Sequence, residues 1–201
     1  MSTVAVPGDT AAPTTLDSSD ERWHRLPYSL RLSASDIGGS GLARTEYRLD
    51  EQGQWQTTSG PITFTAGPGD HSLDGFHRIY YRSIDAAGNC EPTRVCGLSI
   101  DTTPPAVRAP RPVRARRGRW AKLPVRVSDV EGVTVTLTAR IYDARGKRVR
   151  KITRRGYVNA NDAIWFHCKL KPGRYRFKVW AVDAAGNQQS RIGSNTLTVR
   201  R

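Results

Sequence analysis

Apolar and polar positions alternate along this chain. In YRFKVWAVD (175–183), Tyr175, Phe177, Val179 and Ala181 fall on one side, and Arg176, Lys178, Trp180 and Val182 on the other. A period of two is the mark of a half-buried strand. In IWFHCKL, Ile164, Phe166, Cys168 and Leu170 alternate with Trp165, His167 and Lys169. VTVTLTARIYD and TEYRLD are rich in the β-branched and aromatic residues that suit a pleated surface. Gly and Pro break these runs at EQGQ, TSGP, AGPGD, ARGK and KPGR, giving turn signals roughly every 8–12 residues. Helical periodicity is absent, so the pattern predicts an all-β sandwich rather than an α/β fold.

The pattern also repeats. DAAGN occurs at 85–89 and again at 183–187, SLRLSASD (29–36) matches KLPVRVSD (122–129), and DTAAP (9–13) matches DTTPP (101–105). Three landmarks in the same order, 92 to 98 residues apart, predict two homologous modules of about a hundred residues, the size of an immunoglobulin-like sandwich. The expected division is a tail or remnant of a preceding module at 1–8, a first module at 9–101 and a second at 102–201. The two prolines of DTTPP fix φ and remove two backbone donors, so this stretch reads as a short stiff connector.

Charge separates the two modules. Residues 1–101 hold 8 Arg, no Lys and 13 Asp+Glu, a net of −5; residues 102–201 hold 24 Lys+Arg and 5 acids, a net of +19; together they give +14. A mildly acidic module beside a basic one points to a polyanion as partner; the competing account is a solvated Arg-rich surface, since Arg outnumbers Lys 26 to 6. No apolar run approaches the ~20 residues of a membrane helix. The opening MSTVAVPGDTAAPTT lacks the basic and apolar regions of a signal peptide. Cys90 and Cys96 flank EPTRV and would close a short disulfide in an exported protein. Cys168 alternates with apolar residues and reads as a small buried hydrophobe.

These residues carry a family likeness. DTTPP linkers, TEYRLD followed by SGPITF, and YRSIDAAGN resemble the bacterial Ig-like repeats found in tandem on exported proteins, from Asp9 to Asp101. The second module, with VTLTARIYDARGKRVRKI and LKPGRYRFKVWAVDAAGN, resembles the Ig-like/fibronectin-like module of the flagellar hook-capping protein family. That family commonly has a Trp-Asp-Gly before its Pro-Gly-x-Tyr turn, where this chain reads NANDAIWFHCKLKPG. The opening VAVPGDTAAP resembles a last strand and linker, as if another module preceded. The resemblance implies two tandem Ig-like sandwiches acting as a non-enzymatic spacer, stalk or adhesion segment of an exported bacterial-type protein, extracellular or at the cell surface, beside neighbouring modules of a longer chain. The alternative is a polyanion- or carbohydrate-binding accessory module of a secreted hydrolase.

DAAGN reads as the hairpin between the last two strands. Asp85 and Asp183 would cap it by accepting N–H groups two or three residues on, Gly88 and Gly186 would take the left-handed position, and Asn89 and Asn187 close it. The alternative is calcium, with Asp101, Asp129, Glu131 and Asp183 brought to one end of the second module. No DxDxDG loop is present, and no cofactor is expected. For polyanion or carbohydrate binding (acidic polysaccharide, teichoic acid), the candidates are Arg114, Arg116, Arg117, Arg119, Trp120, Arg148, Arg150, Lys151, Arg154, Arg155, Lys178 and Trp180, with Trp165 a further stacking surface. A charged face that protects sheet edges is the plainer account. Tyr175 after KPGR resembles a tyrosine corner. Catalysis finds no motif: there is no HExxH, and GGSG is not a nucleophile elbow.

Overall fold

The computed structural model describes residues 8–130 and 134–201, so the opening VAVP and Glu131 lie outside the described residues. The chain divides into two compact units, Met1–Asp101 and Thr102–Arg201. Both are all-β, and each is an immunoglobulin-like sandwich with its own core. The described residues include no helix long and apolar enough to cross a membrane.

The first unit comprises β1 (Thr14–Asp17), β2 (Trp23–His24), β3 (Tyr28–Leu30), β4 (Leu32–Ser35), β5 (Leu42–Leu49), β6 (Gln56–Thr58), β7 (Ile62–Phe64), β8 (Gly75–Asp85) and β9 (Arg94–Ile100). Five form one sheet in the order β2-β9-β8-β5-β6, and the pairs β1-β4 and β3-β7 supply the other layer. Leu30, Ile62, Phe64, Ile79, Leu98 and Ile100 meet between the layers. Beside this small apolar core sits a polar clamp. Buried Glu91 accepts from the N–H of Thr15 (3.1 Å) and of Ser83 (2.8 Å), and from the Thr15 hydroxyl. Buried polar groups hold only when satisfied in this way, and Glu91 thereby ties β1 to β8.

The second unit comprises β10 (Ala106–Arg108), β11 (Val113–Arg116), β12 (Trp120–Ser128), β13 (Thr134–Tyr142), β14 (Arg148–Tyr157), β15 (Ala160–His167), β16 (Gly173–Val182) and β17 (Gly193–Arg200). Its sheets run β10-β12-β15 and β11-β17-β16-β13-β14. Leu123, Val125 and Ile164 from the first sheet face Leu137, Ile141, Phe177 and Leu197 from the second, all at most 1% exposed. In β16 the inward residues are Phe177, Val179 and Ala181, as the alternation requires. The entry strand changes sheets between β10 and β11, where Pro110 and Pro112 cannot donate to a ladder. The tyrosine-corner position is occupied as expected for a brace: the Tyr175 hydroxyl donates to the Lys171 carbonyl at 2.8 Å.

The units share one frame. In each, a short strand runs parallel to the last strand at one edge of the five-stranded sheet: β2 on β9, and β11 on β17.

The disulfide expected between Cys90 and Cys96 is not formed, and all three cysteines are free. Cys90 stands opposite Ile84, and Cys96 opposite Ile79. Their partners are five residues apart along β8, roughly 16 Å at strand rise. A disulfide needs Cα atoms within roughly 7 Å, so pairing of the last strand with β8 holds the two thiols apart.

Candidate functional site

The two DAAGN segments form matching turns. Asp85 N–H donates to Asn89 O (3.1 Å) and Asp183 N–H to Asn187 O (3.2 Å). The side chains accept the N–H four residues on, rather than two or three: Asn89 to Asp85 Oδ1 at 2.7 Å, Asn187 to Asp183 Oδ1 at 2.8 Å. Gly88 and Gly186 sit at φ +94° and +93°. The Asn89 amide reaches further, to the carbonyl of Asp9 at 3.2 Å, and so fastens the turn to the entry segment.

Carboxylates gather beside these turns. In the first unit, Asp9, Asp36 and Asp85 each bring an oxygen within 4.8 Å of the others. Local donors already hold all three. Asp9 accepts from Ala11 and Ser40 N–H, Asp36 from Gly41 N–H, and Asp85 from the Asn89 N–H and amide. The Ser40 and Ala11 N–H groups hold the Asp9 carboxyl below the usual range. In the second unit, Asp129 and Asp183 lie within the same 4.8 Å. Asp129 accepts from Val130 N–H at 2.9 Å. Asp101, the last residue of the first unit, is buried and donates its N–H to His24 O at 2.9 Å. Ca²⁺ takes six to eight oxygens; the hydrogen bonds of Asp9, Asp36 and Asp85 are those of loop staples.

The basic candidates divide between two faces of the second unit. On the outer face of β11-β17-β16-β13-β14, strand pairing sets cations in rows. Lys151, Arg140 and Lys178 are directly opposite one another on β14, β13 and β16. The next row is Arg148, Tyr142, Arg176 and Thr196. Arg155 faces Thr136 further along, and Arg114 and Arg116 complete the far edge on β11. None of the five strands contains an Asp or Glu. Asp143, in the turn after β13, turns back to the Arg145 and Lys147 N–H groups.

Like charges directly opposite in a sheet are destabilising, and these lean on aromatic rings instead of carboxylates. The Arg140 guanidinium lies 4.5 Å from the Trp180 ring centroid, and Lys178 Nζ 5.6 Å from that of Tyr142. Trp180 is therefore half-buried under Arg140 rather than open for stacking. A hollow of 540 Å³ lies on this face, its lining including Tyr142, Asp143, Arg174, Arg176, Lys178 and Thr196.

Other candidates lie elsewhere. Arg150 and Arg154 pair with the inward residues Ile141 and Leu137. Arg154 bonds Asp162 and the Ala163 carbonyl on β15, so it closes the edge of the sandwich. Arg117 and Arg119 sit in the turn between β11 and β12. Trp120 belongs to the opposite face, on β12, where Lys122 stands opposite Trp165 and Trp120 opposite His167. Arg140, Arg174 and Arg176 were missed as site residues; the parity of their strands carries the signal, because each is one residue from an inward apolar position.

No family model matches the chain, and no curated protein does. Solved structures that it resembles include the FN1-FN3 domains of chicken CNTN1 (TM-score 0.43, 13% identity, 96% of this chain and 69% of that one). Others are a tetra-tandem repeat in the extending region of a large adhesion protein (0.39, 16%, 94% and 49%) and the chicken interferon gamma receptor alpha chain (0.35, 8%, 95% and 99%).

Proposed function

We propose that the chain is a non-enzymatic pair of immunoglobulin-like modules from an exported protein, at the cell surface or secreted. The first unit acts as spacer, and the second docks a polyanion on the outer face of its five-stranded sheet. The observation that carries this reading is the row Lys151–Arg140–Lys178. Three cations stand side by side on three paired strands that hold no acid. The arrangement weakens the free sheet and is relieved by a bound anion, whose charge replaces the missing carboxylates. Arg offers a planar fork to phosphate, sulfate or carboxylate, and Lys a point charge. A wall teichoic acid or an acidic polysaccharide supplies repeating anions to match the rows.

The test is retention of the full chain on immobilised heparin with a salt gradient, comparing wild type with R140Q/K151Q/K178Q. The expected result is earlier elution of the variant, and binding of wild type that falls with salt. Stability should change little, because each relieved like-charge pair returns about 0.2–1 kcal/mol while the lost contacts of Arg140 with Trp180 and Lys178 with Tyr142 cost about 0.5–1 kcal/mol each. Unchanged retention of the variant would overturn the assignment to this face.

A further inference from the structure

The opposite, three-stranded sheet carries chemistry that polyanion docking does not use. Trp120 is 68% exposed and Trp165 56% exposed, although Trp is a residue that proteins usually cover. Strand formation does not require them. Other outward positions of the same sheet are Lys122, Pro124, Arg126, Asn161 and Ala163.

Both indoles are held in place. Trp120 meets the His167 ring edge-on, with centroids 5.8 Å apart and planes at 85°. Lys122 Nζ sits 5.6 Å from the Trp165 ring centroid. The two indoles are diagonal neighbours across β12 and β15, a relation that spans about 7–8 Å. They share a hollow of 310 Å³ with Arg111, Arg114, Lys122 and Pro124. A second hollow of 570 Å³ shares Arg111, Lys122, Pro124 and Trp165 with it and adds Asn161 and Asp162.

We infer that this face is a saccharide-binding site, and that its occupant is an oligosaccharide containing uronic acid residues. A pyranose ring has an apolar C–H face and a rim of hydroxyls that both donate and accept. The exposed indoles match the face. Lys122 and Arg111 donate to the rim, and Asn161 does both. The cations beside the rings complement a uronate carboxylate, whereas Asp162 is already paired with Arg154.

Other occupants fit less well. A protein partner needs about 800 Å² with a dry apolar centre, and here a lysine stands between the indoles. A nucleic acid strand wants donors along its phosphates, and this lining includes acceptors. The face whose strands carry no carboxylate is the other one.

The experiment is titration of the full chain with tetragalacturonate, followed by tryptophan fluorescence and calorimetry, with cellotetraose and a dT oligonucleotide as comparators. Both indoles are exposed, so Trp120→Ala and Trp165→Ala should leave the thermal midpoint in place while each weakens tetragalacturonate about tenfold. K151Q/K178Q, on the other sheet where tetragalacturonate also docks, should change the component of binding lost in the Trp variants less than twofold, which separates this site from the polyanion face. The inference is overturned if tetragalacturonate does not bind, or if the double Trp variant binds it as wild type does. Equal affinity for cellotetraose would overturn the acidic specificity. Tighter, Trp-dependent binding of the dT oligonucleotide would reassign the face to nucleic acid.

Discussion

Replacing Gly186 by Ala isolates the backbone contribution of the repeated turn. Gly186 has φ +93°, and a Cβ built there meets no atom within 4 Å. The substitution therefore adds no clash, only the cost of a left-handed L-residue, about 1–2 kcal/mol. Ala also restricts the unfolded chain and returns about 0.4–1 kcal/mol. The net is a loss of about 1 kcal/mol, a fall of about 4–8 °C in the midpoint of a domain this size. Gly88 has φ +94° and the same open space, so Gly88→Ala should cost the first unit a similar amount. Asn tolerates this region better than Ala, so Gly186→Asn should recover about half of the loss. Gly156→Ala is the contrasting case: its Cβ would stand 2.8 Å from Leu137 Cγ, a packing cost of about 1–3 kcal/mol with no left-handed component. Calorimetric unfolding of the full chain measures all four. If Gly186→Ala is neutral, or if Ala and Asn cost the same there, conformational strain is not what selects glycine in the turn.

Two further outcomes follow from the thiols and the carboxylates. Cys90 is exposed, whereas burial and then the charge of Asp17 push the Cys96 thiol up to about 11. A maleimide at neutral pH should label Cys90 first, Cys96 slowly, and buried Cys168 only on unfolding; a chain that shows one reactive thiol after denaturation without reductant would instead contain a disulfide. At Asp17, burial works to raise the carboxyl, but hydrogen bonds from Ser19 and from Tyr81 (2.6 Å) outweigh it and hold it below its ordinary value. At Glu46, the bond from Arg44 leads and that from Arg82 adds to it, against burial. A depressed folded pKa gives stability above the unfolded pKa and loses it as pH falls through the folded one. The first unit should therefore weaken from about pH 5 downward. Asp17→Asn should remove part of that slope, about 1 kcal/mol at most after solvent screening; an unchanged acid profile would show that the Tyr81–Asp17 bond contributes nothing to it.

The sandwich was legible because strand parity is a local property. Phe177 and Val179 announce their inward side without reference to any other strand, and DAAGN repeats as a unit. Residues that depend on pairing were not legible. Lys151, Arg140 and Lys178 are far apart in sequence, and only the registers of β13 with β14 and β16 put them in one row. Trp120, Trp165 and Trp180 look alike in the sequence, yet the first two share one face while the third lies under Arg140 on the other. The bulge between Ile141 and Tyr142 illustrates the limit. It shifts the parity of β14, so Arg148 stands opposite Tyr142 while Arg150 and Arg154 turn inward, and a basic run that reads as one patch is divided. The buried Glu91 clamp carried no signal either, because its partners Thr15 and Ser83 are 76 and 8 residues away.

The two units supply an internal control for the charge. β5 and β8 of the first unit hold the positions of β13 and β16 in the second, next to the sheet edge and at its centre. In the first unit the outward cross-strand pair is Glu46 opposite Arg82, bonded at 3.0 Å, with Arg44 on the other carboxylate oxygen. Arg48 and Arg82 also cover Trp55, so the indole on that face is covered. Counted back from the two DAAGN turns, the first-unit counterpart of Arg140 opposite Lys178 is the next outward pair, Arg48 opposite Tyr80, a single cation against a ring; in the second unit Lys151 adds a third cation beside Arg140. The same frame therefore tolerates a single cation at this place, and nothing in the sandwich demands three. A cost of about 0.2–1 kcal/mol for each like-charge contact, carried by one copy and avoided by the other, is what a surface that meets an external anion would show. Edge protection accounts for Lys151 on β14 but not for Arg140 and Lys178, because β13 and β16 are interior strands of the sheet and the cations that blunt an edge belong on β11 and β14.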